Sequence, residues 1–167
     1  MVKQFNRRRT LRLHWIPVLA AVLAVPARAQ ERAVSLSVGS RAYEGGGTAL
    51  ATSIRVEFPL SRIFLFEGGS SVADPAEGVP RSVTTVFEGQ AQARLPGGRV
   101  VPYVGTGAGW ARFRSPTESA SNKPVLSAGG GLRIAVRRQI SVVADGRYRF
   151  PTEPHFDITL GLRYRFD

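Results

Sequence analysis

Cysteine is absent from all 167 residues. That absence excludes a disulfide framework, thiolate metal ligation, a cysteine nucleophile and the N-terminal cysteine of a lipid-anchored protein. Histidine is almost as scarce, with only His14 and His155. A single histidine beyond the N-terminal segment does not make a zinc site, which needs three or four nitrogen, sulfur or oxygen ligands. No metal and no cofactor are expected. Long apolar runs are missing too. Beyond residue 29 nothing approaches the ~20 apolar residues that a helix needs to cross a bilayer. Nor is there a long run of one charge sign that would point to disorder.

Acidic residues are few, 12 against 23 basic ones, for a formal charge of +11. Six of those positive charges are Lys3, Arg7, Arg8, Arg9, Arg12 and Arg28, in a stretch without acids. The remainder carries 11 − 6 = +5, its arginines scattered singly. A nucleic-acid binder is expected to cluster them on one face among stacking aromatics, so no nucleic-acid partner is expected. The same N-terminal stretch has the layout of a cleavable export signal. Basic residues up to Arg12 precede an apolar run from Trp15 to Val25, then Pro26 and a small-x-small site at Ala27-Arg28-Ala29. The expected organisation is a signal over 1–29 and one domain over 30–167, ending with that domain.

What the chain does have is alternation. In Asp157–Phe166, the residues Ile158, Leu160, Leu162, Tyr164 and Phe166 take every second position. Side chains along a strand alternate faces, so one face is apolar and the other polar. A helical period would mix arginines with leucines all round. The theme recurs seven times before it, over about 33–41, 48–58, 63–71, 82–95, 100–114, 125–136 and 140–150. Pattern alone leaves the facing of the third and fifth strands open. In the third, placing Glu67 on the polar side puts Phe64 and Phe66 on the apolar one. In the fifth, Gly105-Thr106-Gly107-Ala108-Gly109 lacks the spacing and following helix of a dinucleotide site, and such glycines let strands bend and approach closely. Loops alternate with tight turns at 59–62, 96–98 and 137–139.

The polar faces collect Arg55, Glu57, Glu67, Glu88, Gln90, Gln92, Arg94, Arg133, Asp145, Arg147 and Arg163. An eight-stranded barrel is only just wide enough inside for side chains. The large apolar sets of several strands, as in Ile158 to Phe166, would overfill it. Reversed, the apolar faces form an outer band, and the interior charges of both signs can pair. Closure also removes the strand edges that lipid could not satisfy. The expected interior charges are Arg55, Glu57, Glu67, Glu88, Arg94, Arg133, Asp145, Arg147 and Arg163. A soluble lipocalin-like ligand-binding barrel is the competing arrangement.

These features resemble the small outer-membrane β-barrels of the OmpA/OmpX-like class over residues 33–166. The residues that carry the resemblance are the N-terminal signal, the eight alternating strands, Pro102-Tyr103-Val104-Gly105-x-Gly107-x-Gly109, and a last amphipathic strand ending in an aromatic. The resemblance implies an all-β, eight-stranded antiparallel up-and-down transmembrane barrel with short periplasmic turns and longer outer loops. It implies residence in the cell outer membrane, among outer-membrane lipid and lipopolysaccharide, as a monomer. It also implies that Ile158, Leu160, Leu162, Tyr164 and Phe166 form the signal read by the barrel-assembly machinery; Asp167 after Phe166 departs from that pattern.

Catalysis is not expected. The lipid A deacylase type looks like His-x-Ser on one strand, and here Asp157 follows His155 where serine would stand; His155 is expected in a loop at the boundary. The many interior arginines argue against an open pore. A structural or surface-exposed role remains, whether loop presentation, adhesion or envelope integrity, with loops 72–80 and 115–124 free of recognisable motifs. Arg41, Arg81, Arg112, Arg114 and Lys123 are expected near the outer rim, where lipid phosphates are potential partners. A lipid A-modifying enzyme and a small ion pore are the further alternatives.

Overall fold

The computed structural model describes residues 32–74, 82–95, 97–114 and 119–166, so the expected export signal lies outside the described residues. Eight strands follow in order: β1 Ala33–Tyr43, β2 Thr48–Pro59, β3 Phe64–Ala73, β4 Ser82–Arg94, β5 Val100–Arg114, β6 Ser121–Ala135, β7 Ile140–Phe150 and β8 His155–Arg165. Each pairs antiparallel with its neighbours, and β1 pairs with β8 from Ala33↔Arg165 to Tyr43↔His155, closing the barrel. No helix among the described residues is long and apolar enough to cross a membrane, which has no bearing on strands.

Alternation translates directly into facing. On β8, Ile158, Leu160 and Leu162 point outward and are about 60% exposed, whereas Asp157 and Thr159 are buried inside. The two unresolved strands fall the same way. Leu65 and Glu67 face inward with Phe64 and Phe66 outside; Tyr103 faces inward with Val104 and Trp110 outside. The alternation slips once. A bulge between Val83 and Thr85 on β4 leaves both Val83 and Val86 inside, so the phase before the bulge is opposite to that of Glu88, Gln90 and Gln92.

The connections at one end are 44–47, 74–81, 115–120 and 151–154; at the other end, with both termini of the barrel, they are 60–63, 95–99 and 136–139. The first and last of the former set are as short as the turns opposite. Residues 121–124, expected in a loop, belong to β6, which pairs with β5 as far as Phe113↔Ser121.

Glycines make room where the walls meet. A Cβ on Gly131 of β6 would lie 2.0 Å from the Ala144 carbonyl oxygen of β7 and 2.8 Å from the Tyr103 hydroxyl. On the outside, Phe66 lies over Gly89 and Phe156 over Gly146 on neighbouring strands, covering bare backbone with aromatic surface. We expect Gly131→Ala to lower the urea midpoint of unfolding clearly. Gly45→Ala, whose new Cβ meets nothing within 4 Å, should leave it unchanged.

Candidate functional site

Among the described residues, chemistry-bearing side chains converge in the lumen. Arg41 on β1 binds Asp157 on β8 through both Nε and Nη2, at 2.8 and 2.9 Å, and also reaches Ser71 Oγ and the Val83 carbonyl. Asp157 accepts a further bond from Arg149, at 2.5 Å. Arg149 in turn holds Glu88 with two bonds of 3.0 Å. Glu88 also pairs with Arg147, which donates to Glu67 at 3.0 Å and Asp145 at 3.3 Å. Arg55 completes this junction on Asp145 at 3.0 Å and lies 3.7 Å from Glu67.

The chain of contacts continues downward. Tyr103 donates to Asp145 at 2.6 Å, and the Arg133 guanidinium sits 4.3 Å from the centre of the Tyr103 ring. Arg133 and Arg163 then share Glu57, at 3.2 and 2.9 Å, and Arg133 binds Gln92 at 2.6 Å. Gln92 donates to Gln90. Six arginines and five carboxylates thus form one continuous network. Several of these bonds cross the lumen: β2 to β6 and β3 to β7 join opposite walls, and β1 to β4 spans three strands. The lumen is braced across its diameter.

Eight of the nine expected interior charges belong to this network. The ninth, Arg94, is half-exposed at the end that holds the termini, where its Nε donates to the Arg62 carbonyl at 3.1 Å. Two expectations need correcting. Arg41 is fully buried in the lumen, not at the outer rim. Continuing the period of two from Ser35, Ser37 and Gly39 lands on it, and its bidentate bond to Asp157 holds it there. His155 is not a loop residue. It opens β8, is fully buried beside Tyr43 with ring centres 5.8 Å apart, and its Nδ1 lies 2.9 Å from the Glu153 carbonyl oxygen. Arg149 and Asp157 sat on polar faces in the sequence but outside the expected set; their partners on β4 and β1 are distant in the chain. Arg112 is exposed near the rim, while the Arg81 and Arg114 side chains lie outside the described residues.

Chemically, the arrangement holds charge in place. Asp157, two residues after His155, is bound by Arg41 and Arg149. No described serine hydroxyl hydrogen-bonds to His155, whose Nε2 is buried. Among the described residues no three metal-ligating groups converge.

Toward the end bearing 44–47 and 74–81 the two faces exchange polarity. Inside, Tyr43, Ala49, Ala51, Ala73, Val83, Val86, Ala111, Phe113 and Val125 pack into an apolar cluster. Outside at this level stand Thr48, Arg112 and Asn122. Below it the exterior is apolar, bounded above by Trp110, Phe87 and Phe156 and below by Phe64, Tyr164 and Phe166, all exposed.

No protein-family model matches the chain, and no curated protein sequence matches it. Solved structures do. The chain has the eight-stranded antiparallel fold of the small outer-membrane β-barrels. The N-terminal barrel domain of Pseudomonas aeruginosa OprF superimposes with a TM-score of 0.64 at 14% identity, covering 82% of this chain and 100% of that one. Neisserial surface protein A gives 0.62 at 16%, covering 81% and 96%. The outer-membrane enzyme PagL gives 0.50 at 16%, covering 79% and 98%. At these identities the correspondence is one of fold, which both surface proteins and an enzyme share.

Removing one partner of a buried ion pair leaves an uncompensated charge and costs about 3–5 kcal/mol. Arg147→Met should therefore destabilise the barrel by about that much in urea titration. Arg138→Gln, on an exposed turn, should stay within about 0.5 kcal/mol of the parent.

Proposed function

We propose that the chain is an exported outer-membrane β-barrel with a structural, surface-presenting role and no catalysis. The observation that carries this reading is the inverted polarity of the barrel. Leu36, Val38, Leu50, Phe64, Val104, Trp110, Ile158, Leu160 and Leu162 are each about half to two-thirds exposed on the outer wall, around a charged lumen. In water that exterior would be an aggregation surface; in lipid it is the apolar band of a transmembrane barrel, flanked by aromatic girdles. Strands of 10–15 residues meet the ~9–11 needed to cross when tilted. A soluble ligand-binding barrel would reverse both faces.

Orientation follows from topology. Both ends of the barrel emerge with 60–63, 95–99 and 136–139, so in an exported chain this end faces the periplasm. The opposite end, with its apolar interior and polar exterior, lies in water outside. Of the four connections there, 44–47 and 151–154 are short. That favours envelope integrity or a limited contact surface over long adhesive loops. Lipopolysaccharide is the neighbouring lipid on that side, and the barrel acts as a monomer.

Within this reading β8 carries the assembly signal. Ile158, Leu160, Leu162, Tyr164 and Phe166 form one outward stripe, and the Tyr164 and Phe166 rings meet edge to face at 5.0 Å. We expect Phe166→Ala to reduce insertion by the barrel-assembly machinery and removal of Asp167 to have no effect. The readout is the amount of protein in outer-membrane fractions that migrates differently before and after boiling. Equal assembly of both variants would remove the signal assignment, and a soluble periplasmic wild type would remove the barrel's membrane role. Unchanged lipid A masses with and without the protein are expected if no lipid A chemistry is catalysed.

A further inference from the structure

The connections at the two ends of the barrel differ in charge. Connections 44–47, 74–81, 115–120 and 151–154 contain Glu44, Asp74, Glu77, Glu118 and Glu153 against the single base Arg81. Connections 60–63, 95–99 and 136–139 contain Arg62, Arg99, Arg137 and Arg138 and no acid. All four arginines are exposed, and none has a carboxylate partner among the described residues.

Hydrogen bonds tie neighbouring segments at this end together. The Arg94 amide donates to the Ile63 carbonyl at 2.8 Å, Ala135 and Arg99 exchange bonds of 2.8 and 3.0 Å, Arg165 donates to Gln139, and Phe166 to Arg32. Arg62 and Arg94 line one cleft of about 250 Å³ with Gly97 and Val101. Each turn also exposes an apolar side chain: Leu60, Leu95 and Val136. Basic groups beside apolar ones at the edge of an apolar band match the boundary between acyl chain and head group. A polysaccharide has no use for those apolar side chains.

We propose that these arginines form a collar that binds anionic phospholipid head groups in the periplasmic leaflet, with the Arg62–Arg94 cleft taking one phosphate. The proposal rests on the membrane-spanning orientation given above. Guanidinium groups suit phosphate because they donate paired bonds in a planar fork. The collar would select lipids with net negative head groups over zwitterionic ones. It would also fix the barrel's depth in that leaflet.

Native mass spectrometry of the mature full-length barrel tests this, after exposure to phosphatidylglycerol or phosphatidylcholine. Unheated and boiled electrophoresis first confirms that each variant is folded, and reconstitution into vesicles confirms insertion. Wild type should retain phosphatidylglycerol in preference to phosphatidylcholine. The triple variant Arg62→Gln, Arg137→Gln, Arg138→Gln should lose at least tenfold of that preference, taking roughly five-fold per surface arginine. Arg112→Gln, at the opposite end, should keep it. Equal retention of both lipids, an unchanged triple variant, or an equal loss in Arg112→Gln overturns the collar. So does arginine-dependent retention by isolated cell-wall sacculi without lipid selectivity. A wild type that fails to enter vesicles sinks the spanning orientation, and the collar with it; one that enters without selectivity sinks the collar alone.

Discussion

Arg147 meets Glu67, Glu88 and Asp145 inside the barrel, and the rest of the structure depends on such pairings. Charges withdrawn from water cost several kcal/mol each unless opposite charges and hydrogen bonds surround them. The barrel meets much of that demand with six arginines and five carboxylates contributed by seven of its eight strands, joined through Tyr103 and Gln92 into one column, although Arg55 Nη2, Arg133 Nε and Nη1 and Arg147 Nε are buried without a hydrogen bond. Pairing of this kind specifies register. A slip of one residue turns every side chain of a strand to the other face. On β7 it would carry Asp145, Arg147 and Arg149 onto the apolar wall, where an arginine at the midplane of a bilayer costs about 2–4 kcal/mol.

The column also explains the glycine-rich wall of β5 and β6. Long side chains reaching inward from β1, β2, β3 and β7 need space. Gly105, Gly107, Gly129 and Gly131 stand on the inner wall opposite them, with neighbouring backbone closer than a Cβ would tolerate. Where the column ends, near Tyr43 and His155, the interior becomes apolar and the exterior polar. The chain is thus two structures on one set of strands: a lipid-type barrel over most of its height and a water-type barrel at one end. That change places the upper edge of the apolar belt near Trp110 and Phe87, which are paired across β4 and β5.

Much of this was legible from a period of two. The eight strands, the outer band and most lumen charges follow from alternation together with the narrowness of an eight-stranded lumen. What alternation did not show was where strands stop. Asn122, Lys123 and Pro124 read as loop, yet pairing extends through them because Phe113 and Val125 pack inside at that level. His155 and Arg41 read as boundary residues, yet each faces partners far away in sequence. The slip at Val83 and Thr85 is invisible for a related reason: Ser82-Val83-Thr84-Thr85-Val86 suits either phase, and only the cluster it joins selects one. The role of the barrel was less legible than its shape, since the fold serves surface proteins and an enzyme alike.

The central claim is that the apolar wall faces lipid and the charged wall faces the lumen. A protein without native cysteine allows this to be measured one residue at a time. Single cysteines at 157 to 162 on β8, each carrying a polarity-sensitive fluorophore, can be reconstituted into vesicles with a lipid-borne quencher. The account predicts quenching at 158, 160 and 162 and little at 157, 159 and 161. Uniform quenching, or access of a water-soluble quencher to 158, 160 and 162, would contradict it.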